Sequence, residues 1–233
     1  MAHLTGAERA RYVQGMFSRI ARRYDLMNRL MTAGQDVRWR REVVRRAEIP
    51  ARGRTLDLGA GTGDLAREIQ RQYPDSYPVA ADFTLEMMRV GKNHPASSTL
   101  DWSAADALHL PFPAGTFDAV VSGFLLRNVI DVPKALDEQF RVLQPGGRVV
   151  VLDTTRPTKN VFSPLINFHL HVLIPLLGRM ITGAGEAYTY LPESTEAFLQ
   201  AEQLAAFLSQ AGFKEVGFHR LMFGTVAIHW GRK

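Results

Sequence analysis

Between Leu56 and Ala66 the chain reads LDLGAGTGDLA, with Gly59, Gly61 and Gly63 at alternate positions after an apolar run and before a helical pattern. In a doubly wound α/β sheet the turn after the first strand borders the ligand crevice, and glycines there let the backbone approach a ligand closely. The dinucleotide fingerprint, G-x-G-x-x-G, seats a pyrophosphate on the following helix N-terminus. Here the spacing is G-x-G-x-G, and Asp57 stands two residues before the first glycine. A carboxylate in that place repels pyrophosphate and suits a cation, such as the ammonium or sulfonium of S-adenosylmethionine (SAM). The alternative is a glycine-rich structural turn with no ligand.

Two further aspartates bear on that choice. Asp82 closes the run PVAAD, 25 residues after Asp57, near the offset of about 20 at which an acidic residue takes ribose hydroxyls. Asp106, followed by Ala107, comes after a short strand and is placed to hold an adenine amino group. Each aspartate alone fits a turn or a helix N-cap. Three in order along alternating strands make SAM the economical ligand, with an expected binding set of Asp57, Gly59, Gly61, Thr62, Gly63, Asp82, Phe83, Asp106, Ala107 and Gly123. The chain has no cysteine, which excludes thiolate metal sites and a cysteine nucleophile, and no H-E-x-x-H run, so no metal is expected.

The elements that must carry these residues follow from periodicity. TLDLG, PVAAD, FDAVVSGF and GRVVVLD read as strands, and LAREIQRQ, LEMMRVGK and VPKALDEQFRVL as helices. That alternation implies a parallel sheet with helices on both faces. Residues 8–48 look helical, with Trp39, Val43 and Ala47 recurring among Arg38, Arg40, Arg41, Arg45 and Arg46, as on an amphipathic basic helix that stops near IPARG. After Asp153 the pattern breaks up to about Ser194, then resumes with a helix near 200–211. The runs EVGFHRLM and TVAIHWG, separated by a residue pair containing Gly224, suggest a hairpin at the sheet edge. The expected fold is α/β, a Rossmann-like doubly wound sheet, mostly parallel with a C-terminal antiparallel hairpin and a helical insertion after strand five. One domain, 1–233, is expected, with an N-terminal helical cap (1–50) and a substrate-pocket insertion (156–195).

Several segments are more distinctive. Tyr24-Asp25-Leu26-Met27-Asn28 with Trp39, Leu126-Arg127-Asn128-Val129, Arg141-Val142-Leu143, Pro145-Gly146-Gly147, YTYLPES and GTVAIHWG together resemble the quinone C-methyltransferases of menaquinone and ubiquinone biosynthesis over nearly the whole chain. The glycine loop and PGG recur across class I methyltransferases; the other segments are more specific. Departures from the family pattern are Asp36 for His, Thr32 for Ser, Leu125 for Gly, Gln144 for Lys, Asp153 for Glu and Thr155 for Ser. Leu125 adds bulk beside the expected active site.

The resemblance implies methyl transfer from SAM to a ring carbon of a polyprenyl hydroquinone, demethylmenaquinol foremost. A ubiquinone-pathway benzoquinol, another small-molecule acceptor and a non-catalytic SAM-binding role are the alternatives. Ring carbon becomes nucleophilic once the adjacent hydroxyl ionises, so a proton acceptor or a cation is needed near that oxygen. Arg127 is expected to stabilise the phenolate, or else to be a structural ion-pair partner, and Asn128 to orient the ring. Tyr188 and Tyr190 line the quinone pocket or pack in the core, and Tyr24 is a further candidate. His169 and His171, two apart on a helix, diverge by about 200°, so at most one faces a site.

With 46% hydrophobic and 22% charged residues, the 233-residue chain falls outside the disordered and fibrous classes. Residues 1–50 hold 11 Lys/Arg against 5 Asp/Glu, a balance of +6 within a net charge of +5. Those cations either coat solvated helices or face an anionic membrane. The apolar stretch Val161 to Ile181, broken by prolines, histidines and Arg179, is an isoprenoid wall or ordinary core. The MAHLTGAERARY start lacks a signal-peptide core, so the protein is expected to be cytoplasmic, with peripheral contact at the inner membrane face as an option. The Asn/Asp-Pro-Pro-Tyr/Phe motif of nucleic-acid amino-methyltransferases is missing at Phe124-Leu125-Leu126-Arg127-Asn128, so no nucleic acid is expected; a homodimer stays open.

Overall fold

A computed structural model of the chain describes residues 6–156, 163–173, 176, 190 and 193–233. Seven strands, β1 (Arg54–Leu58), β2 (Tyr77–Asp82), β3 (Asp101–Ala104), β4 (Phe117–Gly123), β5 (Leu143–Thr154), β6 (Lys214–Leu221) and β7 (Val226–Arg232), form one sheet. Their order is β3-β2-β1-β4-β5-β7-β6. β1 to β5 pair in parallel, and β7 runs antiparallel between β5 and β6. The chain steps outward from β1 through β2 to β3, then returns to lay β4 on β1's other side. The carboxyl ends of β1 and β4 therefore flank the crevice where such sheets bind ligands.

The helices are α1 (Gly6–Ile20), α2 (Tyr24–Met31), α3 (Gln35–Arg46), α4 (Asp64–Gln72), α5 (Leu85–Lys92), α6 (Val132–Val142), α7 (Ser163–Phe168) and α8 (Ala201–Gln210). Successive strand residues face opposite sides of the sheet, and both sides are apolar. Val120, Val149 and Val151 pack against Leu136 of α6 and Leu204 and Leu208 of α8. Ala119, Val121, Val150 and Leu152 pack against Val43 of α3 and Ile69 of α4.

The sequence expectation differs from the structure in local detail. The N-terminal region is three helices, divided by a 3-10 turn at Ala21–Arg23 and by Gly34 at φ +75°. β5 begins before GRVVVLD, because Leu143 already pairs with Phe117; the ladder then jumps to Arg148 opposite Ala119, and the intervening Pro-Gly-Gly segment bulges out. The terminal hairpin sits at the sheet edge as expected, but its loop contains a 3-10 turn, Met222–Gly224, and is longer than a residue pair. Among the described residues no helix is long and apolar enough to cross a membrane.

The basic face of α3 is not uniformly solvated. Trp39, Val43 and Ala47 are buried as expected, yet Arg40 is buried with them and pairs with the fully buried Asp36 one turn earlier. Arg29 of α2 reaches the same carboxylate, and Thr32 Oγ1 donates to its other oxygen at 3.1 Å. Asp64, the first residue of α4, lies 2.6 Å from Arg67 and about 3.5 Å from both Arg40 and Arg29. These pairs bind α2 and α3 to the start of α4. Replacing Asp36 with Ala leaves the buried Arg40 with only its longer contact to Asp64, and urea unfolding should show a loss of about 3 kcal/mol. An unchanged midpoint would contradict this role.

Candidate active site at the switch point

The chain must turn from β1 into α4 within five residues, and it folds over the end of β2 to do so. The amides of Gly59 and Ala60 both donate to the Ala81 carbonyl, at 2.8 and 3.0 Å. Gly61 N–H donates to Asp82 Oδ2 at 2.7 Å. Gly63 caps α4 at φ +87°, and a Cβ there would lie 2.7 Å from Trp102 Cη2. Close packing, as well as conformation, thus demands glycine at that position. Thr62 Oγ1 donates to Asp25 Oδ1 of α2 at 2.7 Å, so the loop is also held from the N-terminal cap.

Asp57 plays a different part from the ligand contact its spacing suggested. Leu56 and Leu58 belong to the core under α6, so strand alternation turns Asp57 to the α4 side. There its Oδ2 accepts from Ala66 N–H at 2.9 Å, 1% of the residue is exposed, and it lies off the cavity wall. Burial raises its carboxyl pKa to about 7, against the Ala66 hydrogen bond and with Asp82's charge adding to the rise. Its Oδ1 is buried with no hydrogen-bond partner.

An open cleft of about 930 Å³, the solvent at its mouth included, occupies the crevice. Gly59, Gly61, Asp82, Phe83, Asp106, Ala107, Gly123 and Asn128 all border it, so eight residues of the sequence-derived set converge there. Each Asp82 oxygen already takes one backbone N–H, from Gly61 and Thr84, both at 2.7 Å, and a carboxylate oxygen has a further lone pair to offer. Burial nevertheless raises the Asp82 pKa, against those backbone donors. Asp106 Oδ1 accepts from Leu108 N–H at 2.9 Å, and its carboxyl is half exposed to the cavity mouth. Thr62 and Gly63 support the loop from behind and are not on the wall.

Sequence reasoning missed the roof. Ala10, Val13, Gln14 and Phe17 of α1 line the cavity, along with Met87 of α5. Their spacing along α1 is the apolar stripe of an amphipathic helix, but the pattern names no partner surface. Gln14 Nε2 fastens α1 to the Phe83 carbonyl at 3.0 Å, and Ser18 Oγ donates to Glu86 at 3.0 Å.

After β4 the chain forms a 3-10 turn, Leu126–Asn128. Arg127 is buried; its side chain is off the cavity wall, 3.8 Å from Asp153 of β5, with its guanidinium 5.1 Å from the Phe124 ring. Of its two sequence roles, the ion pair is present with Asp153, and any stabilisation of a phenolate has to act from behind the cavity wall. Asn128 does face the cavity: Nδ2 donates to the Phe124 carbonyl at 3.0 Å and Oδ1 accepts from Tyr190 Oη at 3.1 Å. Tyr188 lies outside the described residues. Tyr24 borders the cavity; burial raises its phenol pKa although the charges of Arg127 and Arg40 work the other way. His171 pairs with Glu196 at 2.7 Å, away from the cavity.

Comparison with known proteins decides between a SAM site and an unliganded turn. Residues 4–233 match the description of the ubiE/COQ5 methyltransferase family. The chain belongs to that family. It is 49% identical over 221 residues to the ubiquinone/menaquinone biosynthesis C-methyltransferase of Desulfotalea psychrophila, covering 95% of this chain and 90% of the relative. It is 46% identical over 218 residues to the demethylmenaquinone methyltransferase of Thermus thermophilus, covering 93% and 99%. A SAM-dependent methyltransferase from Thermotoga maritima shares the fold, with a TM-score of 0.66 at 19% identity, over 94% of this chain and 98% of that one.

This methyltransferase uses SAM as its methyl donor, and the cavity's donor set suits that molecule. Asp82 offers carboxylate lone pairs at the end of β2, Asp106 offers a second acceptor, and Phe83, Ala107 and Met87 line the same cavity.

The raised Asp57 pKa has a consequence for folding. The folded carboxyl keeps its proton to about pH 7, whereas in the unfolded chain it ionises near 3.8. The folded state therefore binds more protons across that window, and stability falls as pH rises through it. Asp57→Asn should flatten the fall, gaining more in Tm relative to wild type at pH 8 than at pH 5. An equal shift at both values would mean that Asp57 is already ionised in the native protein.

Proposed function

We propose that this methyltransferase methylates a ring carbon of a polyprenyl hydroquinone, with demethylmenaquinol as its principal acceptor. What carries the proposal is the match to the Thermus thermophilus demethylmenaquinone methyltransferase, 46% identical across 99% of that protein. The Desulfotalea psychrophila relative carries a name that covers both quinone pathways, so a benzoquinol is the second acceptor to try.

SAM, when bound, supplies a sulfonium methyl: the ring carbon forms a C–C bond as the C–S bond breaks, S-adenosylhomocysteine leaves, and the ring carbon's hydrogen departs as a proton. The chain's task is to bind, align and favour the ionised ring oxygen. Asp82 takes the ribose hydroxyls and Asp106 the adenine amino group, with Phe83 against the base. Thr62, Gly63 and Asp57 set the loop's shape.

On the acceptor side, Tyr24 remains protonated because burial raises its pKa, so it donates to the ring oxygen and does not remove its proton. Arg127 adds a buried positive charge behind Tyr24 without touching the ring. Water at the open mouth takes the hydroxyl proton. Val129 and the 44% exposed Ile130 continue the cavity wall outward as an apolar track for the isoprenoid tail.

Because such an acceptor resides in the bilayer, a peripheral membrane contact forms part of the proposal. Leu26 and Leu30, one turn apart on α2, and Phe168 and Val172, one turn apart on α7 and its π-helical extension, are all exposed and supply apolar surface for it. The chain should sediment with anionic vesicles, and replacing Leu26 and Leu30 by Ser should reduce the bound fraction. Equal sedimentation of both proteins would exclude α2 from the contact.

The function itself is tested by transfer of labelled methyl from SAM to demethylmenaquinol and to the matching benzoquinol. Turnover is expected with the naphthoquinol, and its absence with both acceptors would end the proposal. Asp82→Ala should weaken SAM binding by about a hundredfold in calorimetry, the loss of two charge-assisted hydrogen bonds.

A further inference from the structure

Asn128 is the polar side chain that the turn after β4 presents to the cavity, and an isolated asparagine amide can face either way. Here its orientation is determined. Nδ2 lies 3.0 Å from the Phe124 carbonyl, which only a donor can satisfy. Oδ1 is therefore the group 3.1 Å from Tyr190 Oη, and the tyrosine must donate. With the carbonyl and one N–H so engaged, the second N–H is the donor that Asn128 has left for a ligand in the cavity it lines.

The surroundings of both residues resist any other arrangement. Asp153 Oδ2 accepts from Arg127 N–H at 3.3 Å, and Arg9 Nη2 donates to the Arg127 carbonyl at 2.9 Å, so the turn is held from β5 and from α1. Tyr190 is 6% exposed and packs in a cluster with Val13, Met16, Met27 and Ile166, its ring centroid 6.2 Å from that of Tyr12. A buried phenol needs a partner for its O–H, and Asn128 Oδ1 is that partner. Tyr190 itself is not on the cavity wall.

We propose that Tyr190 is a positioning residue for the acceptor: while the Phe124 carbonyl holds Nδ2, the tyrosine hydroxyl holds Oδ1, and the two together keep the Asn128 amide so that an N–H, and not the carbonyl, meets the ring oxygen beside the methylated carbon. A donor there favours the ionised oxygen, which the reaction needs, whereas a flipped carbonyl would oppose it. Tyr190 thus acts on the chemistry through one hydrogen bond, without lining the cavity.

The inference rests on the quinol methylation proposed above, so the tests separate the two. Tyr190→Phe removes only the O–H and should lower kcat about tenfold, with the KM for SAM and the Tm within error of wild type. In an Asn128→Ala background the same change should cost less than about twofold, because no amide is left to orient. A full tenfold loss in that background, or none in the single variant, would overturn the role of Tyr190. Should wild type bind SAM yet methylate no quinol, the acceptor assignment fails, and the side-chain amide resonances of Asn128 decide the positioning question. They should move and exchange faster with solvent in Tyr190→Phe, and unchanged signals would refute the proposal whatever the acceptor.

Discussion

The site depends on a charge cluster that solvent hardly reaches. Arg40 sits within the packed face of α3 and touches the carboxylates of Asp36 and Asp64, which belong to different helices. Removing charges from water is costly, and the cost is met only where each has an opposite partner in place. A structure that buries Arg40 must therefore bring α2, α3 and the first residue of α4 together. That junction stands directly behind the glycine loop, so the N-terminal helices are fixed relative to the loop before any ligand arrives. Although burial opposes its charge, Asp64 is held below the ordinary carboxylate range by Arg40, Arg67 and Arg29, which keeps the cluster intact in mildly acidic conditions.

From that junction the cap reaches both halves of the cavity. Asp25 grips Thr62 of the loop, Tyr24 borders the cavity beside it, and α1 crosses to the far rim at Phe83 and Glu86. Adjacent residues thus do different work, one bracing the glycine loop and one lining the cavity. Arg127 and Asp153 form the corresponding brace under the other side, where burial raises the Asp153 pKa and Arg127 opposes the rise.

The sheet was largely legible in the sequence because parallel strands buried on both faces leave continuous apolar runs, and the alternation with helices allows few topologies. Asp82 and Asp106 could be placed because the first ends β2 and the second follows β3 by two residues, where position implies a crevice. Asp57 shows the limit of spacing: two residues before a glycine is next to the ligand along the chain, yet strand parity turns the side chain to the opposite layer. Arg127 left two readings open because spacing shows no partner; Asp153, its ion-pair partner, lies on the next strand, 26 residues on. The roof from α1 was unreadable, as an amphipathic stripe specifies burial and not what it is buried against. Tyr190 and Tyr188 were indistinguishable by type; the contact with Asn128 tells the first from a packing residue.

The two sides of the cavity are built by parts of the chain that lie far apart in sequence. Residues 59–107 supply the glycine-loop side of the cavity, within a scaffold shared by the Thermotoga maritima enzyme at 19% identity. The other side of the cavity comes from α1, from Tyr24 of α2 and from the turn after β4. Evolution can consequently redraw the second group without retuning the first, and laboratory grafts between homologues should follow the same seam, exchanging ring preference while leaving nucleotide affinity in place.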